Sequence, residues 1–276
     1  MKRLYVTLQI LLPHHLLSRL VGAIAQSRWK SLTRALIRAF IRTYRVDMSQ
    51  ARIEDPEGYA SFTDFFVREL KQDARPLDGD PTVLISPCDG TLSQIGEMNA
   101  GTLVQAKGLD YSAEELFGAH TIAAQLQGGL YATIYLAPAD YHRVHTPTEG
   151  KLIGVRHIPG RLFSVNPTTT ARVPNLFTRN ERVVMSFDTH AGPLVMVLVG
   201  AMIVGSIHTR WTGKVTRDHR IDAEVSRGEE VAQFRMGSTV ILCVPRDTAK
   251  WDAHLVPGCG VLLGQRLGTL VGERQT

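Results

Sequence analysis

The sequence predicts an α+β fold, with N-terminal amphipathic helices followed by a β-rich, mainly antiparallel body. Three observations carry that prediction. Residues 31–45 carry apolar and basic side chains at helical spacing. Residues 74–81, ARPLDGDP, are a dense run of turn formers. After them, short β-favouring runs recur between Gly, Pro, Asp and Asn. A chain of 276 residues can bury a sizeable core, as one large domain or as a domain with an extension. Its 44% hydrophobic and 21% charged residues are ordinary for a globular protein.

The net charge of +5 is unevenly placed. Residues 1–46 hold nine basic residues and no acid, and the remaining 22 basic and 26 acidic residues sum to −4. Within that segment SLTRALIRAFIRTYR, residues 31–45, sets Arg34, Arg38 and Arg42 at i, i+4 and i+8. Leu32, Leu36, Ile37, Phe40, Ile41 and Tyr44 fall on the other side, the pattern of an amphipathic helix with an unmixed cationic face. Before it, LQILLPHHLLSRLVGAIA is apolar but is interrupted by Pro13, His14, His15 and Arg19. It falls short of the ~20 apolar residues of a spanning helix, and the Pro-His-His also breaks the apolar core that a cleaved signal peptide needs. Two readings remain: a helical pair packed on the body with its arginines in water, or an interfacial anchor with arginines on anionic headgroups. Nucleic acid is disfavoured as the partner, because no aromatics are interleaved and no binding module is recognisable.

Along the rest of the chain, SFTDFFVREL (61–70) reads as a helix with Ser61 as its cap, and SAEELFG (112–118) as a short helix. TVLIS, TLSQIG, TLVQA, LYATIYLA, VVMSF, LVMVLVGAMIVGSI, STVILCV and GVLLG read as strands. Three cysteines, Cys88, Cys243 and Cys259, are too few and wrongly spaced for a zinc site. Their odd number argues against a disulfide framework and for a reducing compartment. Cys243 lies in an apolar strand and reads as core.

Three stretches present chemistry. SPCDG (86–90) puts Asp89 in a turn; YLAPADYHRVHTPTEG (135–150) ends a buried strand and then presents Asp140, His142, Arg143 and His145; and Gly237-Ser238 stands at the mouth of a buried strand. An Asp, a His and a Ser can form a charge-relay set. Each also has an ordinary explanation, as turn residue, surface histidine or turn serine, and spacing alone does not choose between His142 and His145. No third ligand stands at metal-site spacing beside the two histidines, so no metal is expected. The serine lacks the G-x-S-x-G elbow of α/β-hydrolases.

Together these stretches resemble the phosphatidylserine decarboxylases, in particular the bacterial membrane-associated type. The likeness runs through YRVDM (44–48), FTDFFVRELKQDARPLD (62–78), SPCDGTLSQIG (86–96), QAKGLDYS (105–112), YLAPADYHRVHTPTEG (135–150), GRLFSVNP (160–167), VPNLFTRNERV (173–183), VGAMIVGSI (199–207) and MGSTVI (236–241). Where the family often shows Leu-Gly-Ser-Thr this chain has Met236-Gly237-Ser238-Thr239, and Cys88 stands where a small residue such as Ala is usual.

The resemblance implies a pyruvoyl-dependent carboxy-lyase that makes phosphatidylethanolamine and carbon dioxide from phosphatidylserine. By match, the Ser238 hydroxyl attacks the Gly237 carbonyl, an N→O acyl shift gives an ester, and elimination followed by hydrolysis leaves a pyruvoyl group at Ser238, with loss of ammonia. The products would be a large chain 1–237 and a small chain 238–276, forming a heterodimer or a dimer of these. The pyruvoyl group forms the Schiff base with substrate. His145 is then the candidate base of cleavage, oriented by Asp89, and His142 the candidate for proton return or phosphate contact. Residues 1–46 become a membrane-associating segment and 47–276 the catalytic domain, peripheral on the cytoplasmic face of the inner membrane with an anionic surface as partner. The rival readings are a membrane-surface Ser-His-Asp lipid hydrolase, which would keep its chain intact, a non-catalytic membrane-surface protein, and a soluble pyruvoyl decarboxylase of a small amino acid.

Overall fold

The runs rich in Val, Ile and Leu pair into one large sheet. In the computed structural model, which describes residue 9 and residues 13–106, 108–202, 206–235 and 238–271, that sheet has eight strands. Their order is His219–Val225, Gly150–Ile158, Arg182–Thr189, Gly192–Gly200, Ser238–Val244, Leu130–Leu136, Gly90–Glu97 and Gly260–Val261, with every neighbour antiparallel. Ser238–Val244 is buried at every position, which explains the unbroken apolar spelling of residues 240–244. A four-stranded sheet (Gly213–Lys214, Ile207–Thr209, Glu230–Phe234, Arg143–His145) and a three-stranded one (Val83–Ile85, Arg266–Leu270, Ala249–Trp251) complete most of the body. The architecture is the expected α+β.

Alternate residues of the central strand feed two cores. Val240, Leu242 and Val244 pack with Leu136, Met196 and Leu198 and with Val144, Ala232 and Phe234 of the four-stranded sheet. Ile241 and Cys243 face the other way, among Tyr131, Val197, Leu116, Phe117, Leu176 and Phe177. Cys243 is therefore core, as expected, and Cys88 is buried in the first cluster.

Buried polar side chains tie the second face together. Asn180 accepts from the Phe163 N–H at 3.0 Å and donates to the carbonyls of Phe163 and Gly200, both at 2.8 Å. Gln105 accepts from Leu176 N and donates to the Thr170 and Val173 carbonyls, each at 2.7 Å. Arg182 donates to the carbonyls of Glu115, Leu116, Thr178 and Asn180. Buried groups left unmade would each be costly, so these contacts fix loop positions rather than add chemistry.

The N-terminus folds as two helices, α1 (His14–Ala25) and α2 (Lys30–Tyr44), followed by a short α3 (Phe62–Phe66). Ser61 caps α3 by accepting from Asp64 N at 3.1 Å, and Ser112 caps Ala113–Phe117 in the same way. Helix α3 stops at Phe66, short of the expected 61–70. The apolar face of α2 is core: Ile37 is buried, and Phe40 meets Phe62, Phe65 and Phe66 edge-on at 5.2–5.9 Å. Its cationic face is partly neutralised, because Arg34 and Arg38 both pair with Glu57, at 2.7 and 2.8 Å. The apolar side of residues 31–45 thus follows the first of the two readings, packing on the body. The free apolar surface lies instead on α1, where Leu16, Leu20 and Ile24 stay 56%, 56% and 50% exposed, beside an exposed Trp29. Helix α1 is held to the body by its other side: Leu162 N donates to His14 Nδ1, and the His14 ring packs edge-on against Phe163. Among the described residues no helix is long and apolar enough to cross a membrane.

Two strands of the large sheet escaped the sequence reading, Gly150–Ile158 and His219–Val225, as did the shorter Leu109–Ser112, Arg143–His145, Gly213–Lys214, Glu230–Phe234, Ala249–Trp251 and Arg266–Leu270. His219–Val225 is the edge strand and carries Arg220, Asp222 and Glu224 at alternate, exposed positions, whereas Gly150–Ile158, next to it, is interrupted by Gly154 and by Lys151, Arg156 and His157. The long run read at 194–207 is a strand only to Gly200; residues 203–205 lie outside the described residues.

Candidate active site

One row across the large sheet places the site. Ser238 opens the central strand opposite Leu136 on one side and Gly200 on the other. Thr91 pairs with Tyr135, the residue before Leu136, so Gly90 reaches the same end of the sheet. Gly90 is required there by close packing, since a Cβ at that position would lie 2.5 Å from the Tyr135 carbonyl oxygen. The loop carrying Asp89, the loop 137–142 and the approach to Ser238 thus leave the sheet together. Gly237 and Met236 lie outside the described residues.

Ser238 is 0% exposed, and its Oγ has no hydrogen-bond partner among the described residues. By strand alternation it shares the face of Val240 and Leu242, toward the four-stranded sheet. The segment before it runs beside loop 137–142, for Phe234 N donates to the His142 carbonyl at 3.0 Å.

The two histidines have different surroundings. His142 is fully buried, with its ring 4.1 Å from that of Phe66. Its Nδ1 donates to the Asp140 carbonyl at 2.8 Å, so the lone pair sits on Nε2, which is buried and has no partner among the described residues. Burial holds its pKa down at about 3, and the Arg68 charge adds to the effect. His145 donates from Nδ1 to the Gly228 carbonyl at 2.9 Å, and its Nε2 accepts from the Tyr141 hydroxyl at 3.2 Å. Burial lowers its pKa, while nearby Glu230 and Asp89 oppose the shift.

Asp89 does not bond His145. Its carboxylate takes a two-point contact from Arg75, Nε to Oδ1 at 2.8 Å and Nη2 to Oδ2 at 2.5 Å, and Leu263 N donates to Oδ1 at 2.8 Å. The tautomer of His145 is set by the Gly228 carbonyl instead. Asp89 remains linked to that histidine by its field and by the loop, since His145 N donates to the Pro87 carbonyl at 2.8 Å. Cys88 is a buried thiol whose pKa is pushed well up by burial, then by Asp89 and Asp140; it is packing, not a nucleophile.

Sequence reasoning missed Arg68, Arg75 and Tyr141. Arg68 and Arg75 lie in the stretch 62–78, and Arg68 follows an aromatic run so apolar that a charge beside it was itself a signal. Among the described residues no group of three or more His, Cys, Asp or Glu is placed to hold a metal ion.

The sequence profile described as Phosphatidylserine decarboxylase matches residues 62–269, and one described as PSD matches residues 4–45. Among similar curated proteins, one from Stutzerimonas stutzeri (strain A1501) is 47% identical over 279 residues, covering 96% of this chain and 94% of that protein. One from Ectopseudomonas mendocina (strain ymp) is 48% identical, covering 97% and 98%. One from Bordetella pertussis (strain Tohama I / ATCC BAA-589 / NCTC 13251) is 49% identical, covering 90% and 88%. All three carry the name phosphatidylserine decarboxylase proenzyme.

Proposed function

The chain belongs to the phosphatidylserine decarboxylase family, and from that premise we propose how its own residues convert phosphatidylserine to phosphatidylethanolamine and carbon dioxide. The proenzyme name of the relatives supports self-processing, at Gly237-Ser238 in this chain. The observation that carries the reading is Ser238: fully buried, at the end of the central strand, with a hydroxyl that no described group holds. A residue that surrenders its hydroxyl fits there, because no hydrogen bond among the described residues is lost with it. The strand pairing to Leu136 and Gly200 keeps the new chain end in place.

In maturation the Ser238 oxygen attacks the Gly237 carbonyl carbon, and its proton must go to a base. We assign this to His145, because Gly228 fixes the hydrogen on Nδ1 and leaves on Nε2 a lone pair that takes the proton once the Tyr141 hydroxyl, now 3.2 Å away, gives up its bond to it. Asp89 assists through its negative charge, which favours the imidazolium, and by holding Arg75 and the loop around Pro87. The pyruvoyl group so formed would supply the electron sink for the bond to carbon dioxide. In turnover His142 moves protons. It is the candidate for returning a proton to the α-carbon after carbon dioxide has left, because its Nε2 is buried and has no partner among the described residues.

A lipid substrate requires access from the bilayer. The exposed stripe of α1 supports peripheral seating on an anionic surface, and three unpaired cysteines suit the cytoplasmic side. The hydrolase alternative is disfavoured, because the relatives are named phosphatidylserine decarboxylase proenzyme and the family profile covers residues 62–269.

Intact-mass measurement tests the reading. The expected result is two chains, 1–237 and a small chain with a blocked N-terminus, and one uncut inactive chain for Ser238→Ala. A single full-mass chain in active wild-type protein, or cutting in Ser238→Ala, refutes it.

A further inference from the structure

Arg68 is a buried cation with too few partners. It follows α3, is 4% exposed, and among the described residues donates only from Nη2, to the Ala139 carbonyl at 2.9 Å. Its Nε and Nη1 are buried with no partner among the described residues. Its guanidinium lies over the Phe65 ring at 5.6 Å, and burial pulls its pKa down. The nearest carboxylates are engaged elsewhere, Asp89 with Arg75 and Asp140 with the Ala137 N–H at 2.7 Å. A buried guanidinium left with two idle donors is costly unless an anion completes it.

Its location narrows the anion. Arg68 and Phe66 grip the same loop, Arg68 at Ala139 and Phe66 at His142, and that loop begins at Leu136, the partner of Ser238. The unpartnered edge of Arg68, Nε2 of His142 and Oγ of Ser238 therefore belong to one end of the sheet. His142 is neutral there and cannot balance an anionic charge.

We propose that Arg68 binds the phosphodiester of the lipid headgroup and thereby sets the distance between the phosphate and the reacting amine. The inference rests on the decarboxylation reading above. The substrate carboxylate is the poorer partner for a reason of mechanism. A cation holding it would stabilise the ground state, whose charge must leave as neutral carbon dioxide, and would slow the reaction. The phosphodiester keeps its charge throughout, so its contact strengthens binding uniformly, and loss of the contact appears in KM rather than kcat.

The test compares wild-type protein with Arg68→Met and Arg68→Lys after intact-mass proof of cutting. Kinetics use carbon dioxide release from soluble dihexanoyl phosphatidylserine; binding uses calorimetry with glycerophosphoethanolamine, which has the phosphodiester and no carboxylate. Arg68→Met should raise KM and weaken glycerophosphoethanolamine binding about 10- to 100-fold, the worth of charge-assisted hydrogen bonds. Its kcat should stay within about threefold, and Arg68→Lys should recover part of the loss. Unchanged KM and headgroup affinity overturn the proposal, as does a fall in kcat alone, which would give Arg68 a part in the chemical step, or a rise in kcat together with KM, which would place Arg68 at the carboxylate. If Arg68→Met is not cut, Arg68→Lys decides by the same readouts, and failure of both to be cut gives Arg68 a structural role and overturns it. Wild-type protein that is uncut yet active would instead overturn the pyruvoyl reading.

Discussion

Replacing Leu16, Leu20 and Ile24 with Ser should release the protein from lipid vesicles. These side chains lie one turn apart on α1 and keep 56%, 56% and 50% of their surface exposed, although α1 is docked on the body through His14. Full burial of a Leu or Ile side chain is worth about 1.5–3 kcal/mol, so half a side chain offers about 1 kcal/mol. Three give roughly 3 kcal/mol, or about 10²-fold in partitioning. The assay is co-sedimentation with vesicles containing phosphatidylglycerol and phosphatidylethanolamine, with chain cutting followed on the same samples. Cutting should be unaffected, because none of the three side chains enters the buried core. By contrast Arg34→Gln with Arg38→Gln should change binding less than about tenfold, since both guanidiniums are already committed to Glu57. If the triple serine variant binds within twofold of wild type, or the arginine pair matters more than the apolar stripe, α1 is not the inserting element.

Other outcomes follow from the site and the scaffold. His145→Ala and Asp89→Ala should accumulate the uncut chain on gels, whereas His142→Ala should be cut and then decarboxylate roughly 10²–10⁴-fold more slowly, the usual worth of a positioned acid or base. A His145→Ala protein that is fully cut sinks its assignment as base. Gly90→Ala should lower stability by about 1–3 kcal/mol, read as a lower Tm, because its Cβ meets the Tyr135 carbonyl at 2.5 Å; an unchanged Tm contradicts the close approach. The His142 ring, held at about 3 against 6.5 when unfolded, binds a proton in the unfolded chain first. Stability should therefore fall as pH drops below about 6.5 toward 3, by roughly 2 kcal/mol at pH 5 from this group. Urea midpoints at pH 7.5 and 5, measured in the uncut Ser238→Ala chain, should show that slope reduced by His142→Gln.

How much of this was legible in the sequence depended on what each residue answers to. Ser61 was readable as a cap because capping is local, decided within three residues. The central strand was readable because burial on both faces leaves only apolar letters over residues 240–244. His219–Val225 was not, because at the sheet edge its charged positions alternate and the chain spells it like a loop. Asp89, His142, His145 and Ser238 could be named from motifs, but not their bonds. The choice of Gly228 rather than Asp89 as the partner of His145 is made by a residue more than eighty positions away. The helical period of residues 31–45 was right, yet period alone could not say whether its apolar side met lipid or three phenylalanines.

Residues 238–270 supply the middle strand of the large sheet, a short strand at its far edge, and two of the three strands in the sheet with Val83–Ile85. A cut before Ser238 therefore severs the chain without freeing either piece. The small piece is threaded through two sheets, so its exchange between molecules should be as slow as global unfolding. Assembly also becomes one-way. The intact chain folds as a single molecule, but after cutting, two separated pieces must find each other, and recovery from denaturant should depend on protein concentration. Folding has to come first and cutting second, which makes the uncut chain the only form able to repair itself in dilute solution.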